Sequence, residues 1–364
     1  MKHINLGKVL YPVFVLSNLL LSLRLLAHGI INYDWHDFDV FYNAAASALA
    51  GNSIYIIIGQ YHLPFWYFPW TAWFYIPYAI WPAGFALILY QGTSILCAIF
   101  IVRKLTKYYR PDFIFLDSLL IFSLIIPMSL QLMIVGQMDY ILLALIVITM
   151  VAIEQKKDIL AGVLLPFLWA KPHLLIVFTL FAFWRAGKRT VFISLVFSAL
   201  MLLLETIISP GWYFEMINLL HIGSQRTDGL KFTTLPNFLG FQENWVGTAN
   251  LPFTIILIAL AILITWRFRS LPTLPLLSFA LTASLFCAPR AYAYDLPLLI
   301  PSMIWMTAKE FKSNSWLWFS AAMIPLLTGF SSSAYLVTLV VFLLSIWKAH
   351  NTLRQPVPLE IAAQ

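Results

Sequence analysis

Charged residues and cysteines are scarce in this chain of 364 residues, and each shortage excludes a class of protein. Asp, Glu, Lys and Arg make up only 10% of the sequence and hydrophobic residues 61%, which excludes a soluble protein. The two cysteines, Cys97 and Cys287, both lie in apolar runs, so neither a disulfide framework nor a zinc site is indicated. Long apolar runs alternate with short polar breaks, without the residue-by-residue alternation of a membrane β-barrel. In lipid every backbone amide must bond within its own segment, so the pattern predicts an all-α, polytopic membrane helical bundle.

The positive charges are concentrated in a few short segments. Of the 22 Lys and Arg residues, seventeen lie at the termini or in short breaks between apolar runs: Lys2, Lys8, Arg103, Lys104, Lys107, Arg110, Lys156, Lys157, Arg185, Lys188, Arg189, Arg267, Arg269, Lys309, Lys312, Lys348 and Arg354. Short loops rich in Lys and Arg mark the cytoplasmic side of a plasma or inner membrane, so both termini are predicted to be cytoplasmic. No basic patch is interleaved with aromatic residues, so we expect membrane lipids as partners and no nucleic acid.

If the basic breaks lie inside and the chain alternates between the two sides of the membrane, the sequence predicts about twelve membrane helices, some of them short. They form one integral membrane domain, residues 1–364. The predicted spans are 9–31, 83–102, 113–133, 138–153, 159–170, 172–184, 190–209, 252–267, 271–288, 296–308, 316–331 and 334–348. The larger outer loops are 32–82 and 210–251. Within the first, segment 65–82 is apolar but rich in Trp, Tyr and Pro, and a crossing there would put the basic residues after 102 outside. We therefore expect it to be interfacial or re-entrant.

The segment from Asp158 to Arg185 must cross the membrane an even number of times, because both of its ends lie in basic breaks. Each half would be about 20 Å of helix, against a hydrocarbon core of about 30 Å. Two short helices that meet at residues 170–173 satisfy both constraints. This arrangement places Lys171 at a helix break near the outer face.

Lys171 is one of five positive residues outside the cytoplasmic breaks, together with Arg24, Arg226, Lys231 and Arg290. Arg226 and Lys231 are interpreted as ordinary polar residues of the second outer loop. Arg24 lies in an apolar run, where a structural ion pair with Glu205 competes with a functional role.

The most distinctive local string runs from His36 to Tyr55. Small and aromatic residues follow Asp37 at helical spacing, which predicts a short helix on the membrane with Asp37 at or before its start. The backbone amides at such a helix start can hold a carboxylate or a phosphate.

Several motifs, in order, make most of the chain resemble glycosyltransferase family 87. They are Asp37-Phe38 with Tyr42, Ala44-Ala45, Gly51 and Tyr55; Phe68-Pro69 with Pro77 and Pro82; Gly136-Gln137; Gly162 and Lys171-Pro172; Thr234-Leu235-Pro236; and Ala288-Pro289 through Tyr294-Asp295 to Pro301. The family's late motif commonly carries a His near the position of Tyr294 or Asp295, and neither residue is His here.

The resemblance implies a GT-C fold and transfer of a hexose, most plausibly mannose, from a polyprenyl-phosphate sugar to a lipid or glycan acceptor on the outer face. It implies Asp37 as the general base of an inverting reaction. The lipid phosphate that leaves needs a cation, for which we expect Lys171 and then Arg290, because both come from helix breaks. Substrate-binding residues are expected at Asp39, Tyr42, Gln137, Asp139, Tyr294 and Asp295.

Asp37-Phe38-Asp39 also has the Asp-X-Asp form that holds a divalent metal in nucleotide-sugar enzymes. Such short matches are common by chance, nucleotide sugars are cytoplasmic, and no two outer histidines have chelating spacing. The sequence therefore favours a reaction without a metal or other cofactor, although it leaves a divalent metal open. A transporter or flippase of lipid-linked sugars is the alternative function, since broken helices and intramembrane charges suit it equally well. A non-catalytic membrane scaffold is a third.

Overall fold

The computed structural model describes residues 35–55, 63–111, 129–224, 251–289, 291–307 and 332–354, and isolated positions outside these ranges. These residues form helices and no strand, as the sequence predicts. The α-helices are α1 His36–Leu49, α2 Trp70–Trp73, α3 Ile76–Ala79, α4 Ala83–Tyr109, α5 Leu130–Val135, α6 Asp139–Glu154, α7 Asp158–Leu164, α8 Ile176–Ala186, α9 Lys188–Ile208, α10 Trp212–Ser224, α11 Leu251–Arg267, α12 Thr273–Cys287, α13 Ile300–Thr307 and α14 Ser332–Arg354. Short 3-10 helices lie at Leu165–Ala170, Pro172–Leu174 and Ala293–Leu299.

The centre of the molecule is α12, in which every residue from Leu274 to Cys287 is buried. A helix that is apolar on all sides is typical of a protein core or a membrane span, and here other helices surround it. Helices α8, α11 and α14 pack against α12, while α6 packs against α4 and α7 beside it.

Three of the described helices are long and apolar enough to cross a membrane: α4, α9 and the part of α14 from Tyr335 to Arg354. Helix α9 exposes large apolar side chains on its outer surface, among them Phe192, Leu203 and Ile207, as expected of a helix that faces lipid. These helices fit a membrane protein. The expected number of about twelve spans and the GT-C architecture stay predictions.

The end of α4 differs from the prediction. The helix continues to Tyr109, so Arg103, Lys104 and Lys107 lie on its last turns and not in a loop after residue 102. At 27 residues it is about 40 Å long, more than the hydrocarbon core requires. Its basic end can therefore extend beyond the apolar layer while remaining helical.

Two predicted irregularities are present in the structure. Segment 65–82 forms only the one-turn helices α2 and α3, which are too short to cross a membrane. The chain also leaves helical geometry at Lys171, between the 3-10 helix Leu165–Ala170 and the one that starts at Pro172. A proline directly after Lys171 disfavours α geometry there, which accounts for the break.

Candidate functional site

The predicted helix is present as α1, which begins at His36, one residue before Asp37, and holds Asp37 in its first turn. The buried face of α1 carries Phe38 and Phe41, which pack on the tyrosines of the following segment. Phe41 stacks on Tyr75 at 4.5 Å between ring centroids, and Phe38 lies 5.4 Å from the ring of Tyr90. This aromatic packing fixes α1 and leaves the Asp37 side chain 18% exposed at the edge of the core.

Gly136 allows a second segment to lie directly against α1. It ends α5 with a left-handed φ of +78°, and a Cβ on it would lie 2.4 Å from the Cβ of Phe38. A residue with a side chain would both strain this backbone and push α1 away. The Gly136-Gln137 motif is therefore a close contact with the helix that carries Asp37.

Gln137 joins this contact to the carboxylate of Asp37. Its Nε2 donates a hydrogen bond of 2.8 Å to Asp37 Oδ2. Its backbone carbonyl accepts a bond of 2.6 Å from the hydroxyl of Tyr90, which in turn accepts one of 3.1 Å from the hydroxyl of Tyr75. The side chain is buried, and its Oε1 has no hydrogen-bond partner within the described part of the chain.

The other oxygen of Asp37, Oδ1, lies 3.5 Å from Nε2 of His36. Burial raises the pKa of the Asp37 carboxyl, and the nearby His36 and the hydrogen bond from Gln137 oppose that rise. The carboxyl therefore has a higher proton affinity than a free aspartate, which suits a general base.

Lys171 lies close enough to Asp37 for its charge to act on that carboxyl, and its ammonium lies between two buried acids. Its Nζ is 2.8 Å from both carboxylate oxygens of Asp139 and 2.9 Å from Oδ1 of Asp295. Asp295 Oδ2 accepts a further bond of 2.7 Å from the backbone N–H of Tyr292. Two carboxylates and one ammonium make a buried group with a net charge of −1 when all three are ionised. The three residues come from α6, the α7–α8 break and the 3-10 helix Ala293–Leu299.

Two tyrosines complete the cluster. The ring of Tyr294 lies 5.0 Å from Lys171 Nζ and stacks on Tyr292 at 4.7 Å. Burial raises the pKa of Tyr67 to about 12, and the nearby charges of Lys171 and Asp37 also act on it. Tyr67 is a functional candidate that sequence reasoning missed, because nothing in the sequence distinguishes it from the other rings of its aromatic segment.

The structure thus brings together six of the predicted site residues: Asp37, Gln137, Asp139, Lys171, Tyr294 and Asp295. Two others have different surroundings. Asp39 is buried and accepts a bond of 2.9 Å from Asn43 Nδ2, and the hydroxyl of Tyr42 donates one of 2.8 Å to the carbonyl of Trp81. Their assignment to substrate stays a prediction.

Asp37 and Asp39 are separated by about 200° around the helix axis, so they do not face the same side. This geometry does not favour an Asp-X-Asp metal site. Across the part of the chain that the structure describes, no group of three His, Cys, Asp or Glu residues is arranged to hold a metal ion.

Arg290, Arg226 and Lys231 lie outside the described residues. Arg24 is exposed, and Glu205 is buried with an Oε2 that has no hydrogen-bond partner among the described residues. Within the described ranges no ion pair joins these two residues.

A family model described as glycosyltransferase family 87 matches residues 65–291. No curated protein and no solved structure matches the chain. The matched range contains Gln137, Asp139 and Lys171, starts after Asp37 and ends before Tyr294.

Proposed function

The chain belongs to glycosyltransferase family 87, and from that membership we propose that it transfers a hexose, most plausibly mannose, from a polyprenyl-phosphate sugar to a lipid or glycan acceptor at the outer face of the membrane. Family membership itself implies a membrane glycosyltransferase. The donor, the acceptor and the residue roles are our proposal.

The observation that carries the proposal is the position of Asp37 beside the cluster around Lys171. Asp37 lies outside the range matched by the family model, so its role rests on geometry. A neutral amide holds one of its oxygens, and the other lies near the edge of His36. A carboxylate held in this way can accept a proton while the second oxygen keeps the group in place.

In the proposed reaction Asp37 takes the proton of an acceptor hydroxyl. The hydroxyl oxygen forms a bond to the anomeric carbon, the bond between that carbon and the phosphate oxygen breaks, and its electron pair leaves with the lipid phosphate. Attack opposite the leaving group inverts the anomeric centre, and one base is sufficient because the phosphate needs no proton to leave.

The leaving phosphate needs positive charge, and Lys171 is the sequence-based candidate. Its ammonium already has two carboxylate partners, so a phosphate would have to displace Asp139 or Asp295. The same geometry supports a second role, in which Lys171 holds the two acids in position for sugar hydroxyls. Arg290 remains the other candidate for the phosphate.

Purified full-length protein incubated with radiolabelled polyprenyl-phosphate mannose and a lipid extract tests the proposal. We expect a new labelled glycolipid and release of the polyprenyl phosphate. A transporter or flippase would move the labelled donor across a vesicle membrane and leave its sugar–phosphate bond intact. That result would contradict the proposal.

A further inference from the structure

Gln137 is held from several directions at the centre of the site. Its amide nitrogen bonds Asp37, its carbonyl oxygen in the backbone is held by Tyr90, and the preceding Gly136 lies against Phe38 of α1. With its backbone held by Tyr90 and its amide held by Asp37, this side chain is suited to orienting a substrate, because it loses little freedom when the substrate binds.

The orientation of the Gln137 amide follows from the chemistry of its partner. A carboxylate only accepts hydrogen bonds, so the amide must present Nε2 to Asp37 and direct Oε1 away from it. Oε1 then has no hydrogen-bond partner among the described residues, in a side chain that is only 2% exposed, and the hydroxyl of Tyr67 also interacts with this side chain. A buried acceptor of this kind is costly unless a ligand or water donates to it.

Asp37 Oδ2 and Gln137 form one hydrogen-bonded unit, which leaves Asp37 Oδ1 for the proton of the attacking hydroxyl. The free Oε1 belongs to the same unit, so it lies close to the part of the acceptor that carries the nucleophile. A sugar hydroxyl on the carbon next to the nucleophile can donate a hydrogen bond to Oε1, whereas a simple lipid alcohol has no such hydroxyl.

We propose that Gln137 is the acceptor-specificity residue: its Oε1 binds a second hydroxyl on the carbon next to the attacking one, so the acceptor is a sugar or polyol with adjacent hydroxyls. The proposal rests on the proposed transferase function and specifies its substrate class. Gln137 also acts as a positioning residue for Asp37.

The test uses full-length protein, a polyprenyl-phosphate hexose, and octyl mannoside together with its single-deoxy analogues as acceptors. We expect wild-type kcat/KM to fall about tenfold or more when the hydroxyl next to the reacting one is missing. Gln137→Met should lose a similar factor on octyl mannoside itself. Its loss on the deoxy analogue should be smaller, because the contact with the hydroxyl is already absent there and only the positioning of Asp37 is affected.

Gln91→Met is the matched control. Gln91 is also buried, and its Oε1 also lacks a partner in the described part of the chain, but its amide bonds the backbone carbonyl of Met133 and not Asp37. This variant should keep the wild-type preference for the complete acceptor. If Gln91→Met also loses this preference, disturbed packing of the protein would account for the effect, and the proposal would be overturned.

The pH dependence of kcat/KM is a second readout, which a general disturbance of packing would not shift. The bond from Gln137 Nε2 favours the ionised Asp37, so Gln137→Met should shift the acidic limb of kcat/KM to higher pH. Unchanged discrimination among acceptors together with an unchanged limb would overturn the inference while leaving the transferase function intact. Absence of transfer by the wild-type protein to every acceptor would instead overturn the proposed function, and the inference with it.

Discussion

Three carboxylates meet in the site, and their partners separate their roles. Asp139 and Asp295 share the ammonium of Lys171, which occupies oxygens of both carboxylates. Asp37 bonds a neutral amide and keeps an oxygen at the edge of the core. Of the three, Asp37 is therefore the one placed to exchange a proton with a substrate.

The pH dependence of transfer tests this assignment at the level of one residue. The base must be ionised, and burial raises the pKa of Asp37 above that of a free aspartate, about 3.9. Activity should be full above the raised pKa and fall about tenfold per pH unit below it. We expect the acidic limb of kcat/KM to lie above the pH range of a free aspartate. A limb at the ordinary aspartate value would contradict a buried base.

Lys171→Met distinguishes a structural role for this lysine from phosphate binding. Removal of the ammonium would leave two buried carboxylates without a counter-charge, which typically costs about 3–5 kcal/mol of stability. We expect a clear drop in Tm in detergent. The triple variant Lys171→Met, Asp139→Asn, Asp295→Asn should recover part of the lost stability, because no uncompensated charge remains. An unchanged Tm combined with weaker binding of the polyprenyl-phosphate donor would instead favour the phosphate role.

The sequence selected Asp37 through the motif it shares with the family, and Lys171 through its charge at a break between apolar runs. It could not predict the partners of Lys171, since Asp139 and Asp295 are 32 and 124 residues away from it. Tyr67 could not be selected either, because aromatic residues are common throughout its segment. Such contacts depend on tertiary packing, which local patterns do not specify.

At the scale of elements, the contact between Gly136 and α1 determines where Asp37 lies. Gly136→Ala should displace α1, because its φ of +78° is unfavourable for alanine and the new Cβ would clash with Phe38. We expect loss of transfer with a modest change in stability, about 1–2 kcal/mol for the backbone strain alone. Gly92→Ala is the control: Gly92 lies in α4, and no described residue comes within 4 Å of a Cβ added to it. Equal transfer by both variants would show that α1 tolerates the displacement.

Several elements followed directly from the sequence. The helix after Asp37 and the break at Lys171 are present, because helical spacing and a Lys-Pro pair act locally. The end of α4 was predicted too early, because the basic residues after 102 were interpreted as loop. A helix can extend into the membrane–water interface with charged residues on its last turns. Composition therefore marks the membrane boundary better than it marks the end of the helix.

At the scale of the whole molecule, the central expectation is a membrane orientation set by positive charge. Helix α9 offers a direct test, because exposed residues flank it: Lys188 at its start and Pro210 just after its end. In a background with Cys97→Ala and Cys287→Ala, we expect a membrane-impermeant maleimide to label Pro210→Cys in intact cells. Lys188→Cys should be labelled only after permeabilisation. The opposite pattern would put the site on the cytoplasmic side.

The account as a whole depends on Asp37 as the base of a transferase, and the most direct measurement is sugar transfer by Asp37→Asn. Asp158→Asn is its matched control: Asp158 also lies in the first turn of a helix, where it accepts a bond of 3.0 Å from Thr190, and it is not part of the site. We predict that Asp37→Asn stays folded and membrane-inserted but loses about 10²–10⁴-fold in kcat with polyprenyl-phosphate mannose, while Asp158→Asn keeps near wild-type transfer. Full transfer by a folded Asp37→Asn protein would contradict the account.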